Sequence, residues 1–251
     1  MRLITPLFTG PRTGHTVIFF PHAGGSPRFF THLAAAMPQH QVFGVTYPGR
    51  DHLVDATPVT DIARLSALVA DELMAQYSID DTPLILVGHS LGSFVAYETA
   101  AALSALAASP RTIVVVSGQN PPLPHRLARS MMPGNGTDDD IVADVLRQNP
   151  DSAPIWANPE LRSFFLPVVR SDYEMLSTYR PSRIRVEEVR VIVGDQDTEV
   201  DAFLMPEWQE VSRRDIEVVV ARGGHFYLAS PDVQLAHELL HITTLTSTEE
   251  A

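Results

Sequence analysis

The chain has 251 residues, 45% hydrophobic and 19% charged, a composition that fills one large α/β domain. Its formal charge of −12 argues against nucleic-acid and anionic-membrane surfaces, and the absence of cysteine excludes disulfides, thiolate nucleophiles and Cys-based zinc sites. No run reaches the roughly 20 apolar residues of a membrane span, and Met1–Gly14 lacks the basic start and apolar core of a secretory signal, so a cytoplasmic enzyme is expected.

In chain order, apolar runs rich in β-branched residues predict strands at His15–Phe20, Gln41–Thr46, Pro83–Gly88, Arg111–Ser117, Val189–Val193 and Ile216–Ala221. Most are continuous rather than alternating, as in strands buried on both faces of a parallel sheet. Helices are expected between them at Arg28–Met37, Thr60–Tyr77, Leu91–Ala108, Pro159–Thr178 and Asp201–Val211, with a last one from Pro231 to Leu245. This alternation implies a mostly parallel sheet flanked by helices in one domain spanning residues 1–251. The stretch after Ser117 breaks the rhythm. It opens with four prolines between Gln119 and Gly136 and continues into a short helix near Asp139–Gln148, so residues 119–165 are expected to form a helical lid inserted in the domain.

The sharpest motif is Gly88-His89-Ser90-Leu91-Gly92, between the apolar run Leu84–Val87 and an alanine-rich helix. A serine on such a strand-to-helix turn is the nucleophile elbow of an α/β-hydrolase fold, and the helix N-terminus behind it favours developing negative charge. That fold places an acid and a histidine later in the chain, each just past a strand. Asp197 follows the strand Val189–Val193 and His225 follows Ile216–Ala221. Asp197 is preferred to Asp195, which reads as a turn residue bonded locally. The two oxyanion donors are expected to be the N–H of Leu91, directly after the nucleophile, and that of Ala23 in the loop Pro21-His22-Ala23-Gly24-Gly25-Ser26.

Competing motifs are weaker. His237-Glu238-Leu239-Leu240-His241 matches H-E-x-x-H, but only ten residues follow it and none is a histidine, so it reads as a coincidence on a terminal helix and no metal or other cofactor is expected. Asp138-Asp139-Asp140 reads as negative charge at a helix start. His89 reads as packing support, His22 as a lining of the oxyanion loop, and His15, His32, His40, His52 and His125 as surface or turn residues.

The chain is similar to the type II thioesterases that accompany modular polyketide synthases and nonribosomal peptide synthetases. The resemblance runs from about residue 16 to 230. It rests on Phe20-Pro21-His22-Ala23-Gly24-Gly25-Ser26, Tyr47-Pro48-Gly49-Arg50, the elbow, Pro159-Glu160-Leu161 through Leu166-Pro167 to Asp172-Tyr173, Gly194-Asp195-Gln196-Asp197, and Gly223-Gly224-His225-Phe226-Tyr227-Leu228. It implies hydrolysis of acyl groups from the phosphopantetheine arm of an acyl or peptidyl carrier protein, with Ser90, Asp197 and His225 as the triad and Ala23 and Leu91 at the oxyanion positions. Carrier proteins are typically acidic, as this chain is, so docking would call on local basic residues such as Arg28, Arg126, Arg129 or Arg170. A small-molecule carboxylesterase and a catalytically silent binding module are the alternatives on the same fold.

Overall fold

The computed structural model describes residues 1–11, 14–76, 83–106, 110–123 and 136–230. The elements in chain order are β1 (Ile4–Thr9), β2 (Thr16–Phe20), α1 (Thr31–Ala35), β3 (Gln41–Val45), α2 (Ile62–Gln76), β4 (Leu84–His89), α3 (Leu91–Ser104), β5 (Thr112–Ser117), α4 (Asp138–Gln148), α5 (Ala153–Ala157), α6 (Pro159–Thr178), β6 (Glu188–Gly194) and β7 (Glu217–Ala221). The expected terminal helix Pro231–Leu245 lies outside the described residues.

Seven strands form one sheet in the order β1-β3-β2-β4-β5-β6-β7, with every neighbouring pair parallel except β1 against β3. The continuous apolar runs have the predicted consequence: all residues of β4, β5 and β6 are buried. Alternate residues serve the two faces. Ile18, Phe20, Leu86, Val114, Val116, Val191 and Val193 pack with Leu65 and Val69 of α2 and Phe94 and Val95 of α3. Val17, Phe19, Ile85, Val87, Ile113, Val115 and Ile192 pack on the other face with Phe30, Leu33 and Met37. Each such side chain contributes about 1.5–3 kcal/mol by leaving water.

Three elements depart from the sequence reading. β1 was not expected. It carries Pro6, tolerable on an edge strand, shifts register between Pro6 and Phe8, and is tied to α2 where the Leu3 and Ile4 N–H groups donate to the Glu72 carboxylate. The helix expected at Arg28–Met37 is a 3₁₀ turn, Pro27–Phe30, capped by Ser26 and followed by α1. The helix expected at Asp201–Val211 is 3₁₀ throughout (Ala202–Val211), with Pro206 inside it unable to donate an α-helical bond.

Between β5 and β6 the chain makes a helical excursion, α4 to α6. Thr137 caps α4 and Asp140 returns the bond in a capping box, so the Asp138–Asp140 run is the acidic first turn of a helix. The excursion has its own small core of Ile141, Val142, Trp156, Leu166, Val169 and Tyr173, with Ala23 packed against it. Among the described residues no helix is long and apolar enough to cross a membrane.

Candidate active site

The strand order fixes where a site forms. From β2 the chain moves outward to β3 and then returns to β4 on the other side of β2. The loops after β2 and β4 therefore diverge around a crevice at the C-terminal edge of the sheet, the usual binding place of an open parallel sheet. Register brings these ends together: Phe20 is opposite Gly88, His89 opposite Ser117, and Gly194 opposite Ala221.

Ser90 stands between β4 and α3 with φ 52 and ψ −121, a backbone conformation that costs a non-glycine residue of order 1–3 kcal/mol. Its N–H donates to the Ser117 carbonyl (2.8 Å), and the Ser93 hydroxyl donates to the Gly88 carbonyl (2.9 Å), holding the turn from both sides. The flanking glycines are required by close approach. A Cβ on Gly88 would lie 2.2 Å from the Gly92 carbonyl oxygen, and one on Gly92 would lie 2.0 Å from that of Phe20. The elbow is thus wedged against the end of β2.

Asp197 and His225 follow β6 and β7. The His225 Nδ1 lies 2.9 Å and 3.1 Å from the two carboxylate oxygens of Asp197, whose side chain is fully buried. An ionised carboxylate only accepts, so Nδ1 carries the proton and Nε2 presents its lone pair. The Glu199 N–H also donates to Asp197 (2.9 Å). Asp195 accepts instead from the Gly223 N–H (2.8 Å), in the loop after β7 rather than within its own turn as expected. Ser90 and His225 converge on one residue: His89 is the chain neighbour of Ser90, and its ring centroid lies 5.1 Å from that of His225.

His89 is buried, with its Nδ1 2.9 Å from the Ser117 hydroxyl, which in turn meets the Tyr227 hydroxyl at 2.5 Å. Tyr227 donates onward to the Ile192 carbonyl, so the hydroxyl chain assigns the His89 proton to Nδ1. Burial, then the neighbouring His225 and His22, hold the His89 pKa well below the ordinary histidine range. His22 packs edge-on against Phe29, His89 and Phe226, and burial, with His225 and Arg50 adding to it, lowers its pKa to about 3. Both imidazoles are neutral at pH 7.

The Ala23 N–H lies in the turn after β2, and that of Leu91 is the first of α3, where no intrahelical acceptor exists. Among the described residues neither is used in a hydrogen bond. What the sequence reading missed is the support beneath Ala23. Arg50 and Asp172 form a buried two-point ion pair, Nη1 to Oδ2 at 2.8 Å and Nη2 to Oδ1 at 2.6 Å, and both also grip the loop that carries Ala23. Both residues lie in stretches that carried the family resemblance, but nothing in the sequence assigned them a partner.

Other expectations resolve as follows. His40 is buried rather than on the surface, stacked on His15 with ring centroids 5.4 Å apart. The H-E-x-x-H stretch 237–241 and His125, Arg126 and Arg129 lie outside the described residues. Among the described residues no group of three or more His, Cys, Asp or Glu side chains is arranged to hold a metal ion.

Comparison with known proteins bears on the family and the fold. The family model described as Thioesterase domain matches residues 15–243. A Streptomyces griseus protein described as "Probable cadicidin biosynthesis thioesterase" is 32% identical over 215 residues, 84% of this chain; the chain spans 58% of the length of that relative. The solved structure of YbtT, a type II thioesterase from the yersiniabactin NRPS/PKS biosynthetic pathway, superposes with a TM-score of 0.83 at 30% identity, covering 96% of both chains. The type II thioesterase BorB of the borrelidin biosynthetic cluster superposes with a TM-score of 0.80 at 28% identity, covering 96% of this chain and 97% of its own.

Proposed function

The chain belongs to the thioesterase-domain family, and on that premise we propose that it hydrolyses acyl thioesters from the phosphopantetheine arm of acyl or peptidyl carrier proteins, editing or releasing chains in polyketide or nonribosomal peptide biosynthesis. The observation that carries the reading is the Asp197–His225 pair, set past β6 and β7, with the His225 ring 5.1 Å from the ring of His89, the chain neighbour of the strained Ser90. We assign the acyl chain to Ser90, the proton to His225, the orientation of the imidazole to Asp197, and the oxyanion to the N–H groups of Ala23 and Leu91. The helices α4–α6 act as the lid of one domain, and the expected place of action is the cytoplasm.

The steps follow from these atoms. The Ser90 Oγ attacks the thioester carbonyl while the His225 Nε2 takes its proton, and Asp197 stabilises the resulting imidazolium. The tetrahedral oxyanion forms between the Ala23 and Leu91 N–H groups, each donor contributing about 3–4 kcal/mol. Collapse breaks the C–S bond, and the imidazolium protonates the departing pantetheine sulfur. Water, deprotonated by His225, then attacks the acyl-serine ester and releases the carboxylic acid, returning the proton to Ser90.

Of the arginines considered for carrier docking, Arg170 is engaged by Asp138 and by the Gly136 carbonyl, whereas Arg28 has its side chain 82% exposed beside the oxyanion loop, with Asp51 3.5 Å away. Arg28 is therefore retained as a docking contact, beside Arg126 and Arg129, which lie outside the described residues. The test is intact-mass analysis after mixing with a panel of acyl-loaded carrier proteins and matched oxygen esters. A mass increase on Ser90 with carrier thioesters, lost in Ser90→Ala together with turnover, is the expected result. Hydrolysis that persists in Ser90→Ala rejects the acyl-serine mechanism, and preference for oxygen esters rejects the carrier substrate.

A further inference from the structure

The loop between β2 and the Pro27 turn is held at five polar backbone atoms around Ala23. The Pro21 carbonyl accepts from the Tyr47 hydroxyl (3.0 Å), the Gly24 N–H donates to Asp172 Oδ2 (2.7 Å), and the Gly25 carbonyl accepts from Arg50 Nη1 (2.9 Å). The Gly25 N–H closes the turn onto the His22 carbonyl (2.9 Å). Arg50 sits over the Tyr47 ring, 5.1 Å from its centroid. Two of these anchors, Tyr47 and Arg50, come from the segment after β3; the third, Asp172, comes from α6. Val169, one turn before Asp172 on the same face of α6, packs so closely that a Cβ on Gly24, whose φ is +71, would lie 2.8 Å from its Cγ2. Ala23 itself packs against both the sheet core and the core of the excursion.

A buried ion pair is a poor way to gain stability. Desolvating both charges costs several kcal/mol per ion, and well-packed apolar replacements are often neutral or stabilising. Here the cost is raised by the Arg50 Nε, which is buried without a partner. Apolar side chains would hold α6 against the core as firmly. They would not donate to the Gly25 carbonyl or accept from the Gly24 N–H, the two contacts that fix the chain directly after Ala23. We infer that Arg50 and Asp172 are positioning residues for the Ala23 N–H, so that the oxyanion donor is presented only while α6 is seated on the loop. This rests on the assignment of Ala23 to the oxyanion, and it couples the seat of the lid to the rate of the chemical step rather than to substrate binding.

The test uses the full chain and an S-hexanoyl pantetheine thioester, with phenylboronic acid as a probe whose serine adduct places an oxygen at the oxyanion position. The apolar pair Arg50→Met with Asp172→Leu is expected to melt near the wild-type temperature yet to lose about 10²–10³-fold in kcat, as for loss of one oxyanion donor. Its KM stays within about threefold of wild type, because the lost contact acts in the transition state, and boronate affinity falls with kcat. Arg50→Lys keeps the charge but lacks the fork, and is expected to lose about tenfold or more in kcat with its melting temperature retained. A folded apolar pair or Arg50→Lys with wild-type kcat and boronate affinity overturns the positioning role. Ser90→Ala run alongside separates the two claims: activity surviving there overturns the acyl-serine reading itself.

Discussion

The excursion is fastened to the sheet domain at two places, and the two differ in burial. On one side, α6 reaches the loop after β2 through Asp172, whose pair with Arg50 leaves side chains 1% and 8% exposed. On the other side, α4 reaches the loop after β6 through Arg147, which pairs with both carboxylate oxygens of Glu199 and with Asp144 (2.5 Å), its own side chain 55% exposed. Tyr173, next to Asp172, donates to Asp144 (2.7 Å) and joins the two attachments inside the excursion. Each attachment ends on a loop that holds one half of the proposed chemistry: Ala23 beside the buried pair, and Asp197, two residues before Glu199, beside the exposed one. Water reaches the Arg147 end of this pair, while Glu199 is 16% exposed, so the attachment is screened more than the buried one. The buried pair cannot open without stranding a charge, so it fixes geometry. One attachment of the excursion is therefore a buried mount and the other a partly exposed one.

The largest expected effect breaks the chemistry beneath the exposed attachment. Asp197→Asn keeps the shape of the loop but removes the carboxylate that holds the His225 proton on Nδ1; kcat falls about 10³–10⁴-fold with little change in melting temperature. Equal loss of activity and of folded protein in circular dichroism would move Asp197 from a chemical to a structural role. Next comes the buried attachment: Asp172→Ala leaves Arg50 unpaired and costs about 3–5 kcal/mol. For a domain of this size that is a fall of roughly 6–20 °C in Tm, read by calorimetry. A fall of a degree or two would show that Arg50 finds water and that the mount is not rigid.

Acid sharpens the comparison further, because His22 lies on the loop that the buried pair holds. Its folded pKa, about 3, is below the ordinary value near 6.5, so below that value the unfolded chain binds a proton that the folded chain refuses. Stability is therefore undiminished above pH 6.5 and drains away as pH falls toward 3. His22→Gln should reduce the slope of unfolding free energy between pH 6 and 4 by about 1.4 kcal/mol per pH unit, measured by denaturant titration across pH. An unchanged slope would mean that His22 meets water in the folded state. The smallest effect is at the exposed attachment: Glu199→Gln should cost less than about 1 kcal/mol and lose most of even that difference in high salt. A cost of several kcal/mol, insensitive to salt, would erase the contrast between the two fastenings.

Local patterning was enough for whatever depends on near neighbours and on period. Continuous apolar runs marked β2 to β6 because both faces of a central strand are buried, and the Asp138–Asp140 run marked the start of α4 because negative charge is favoured in the first turn of a helix. Gly88 and Gly92 marked the elbow because the chain must pass within van der Waals distance of itself there. The order of Ser90, Asp197 and His225 was readable because each sits at the end of its own strand. β1 was not readable, since Pro6 and its half-exposed pattern hide a strand whose pairing is supplied entirely by β3. Nor was the burial of His40, which depends on His15 stacking over it. The mount beneath Ala23 came from long-range packing alone. Arg50 and Asp172 are 122 residues apart, and neither has a local pattern that names the other. They meet because the strand order opens a crevice beside β2 and α6 folds back across it, burying two opposite charges that had to be paired once water was gone.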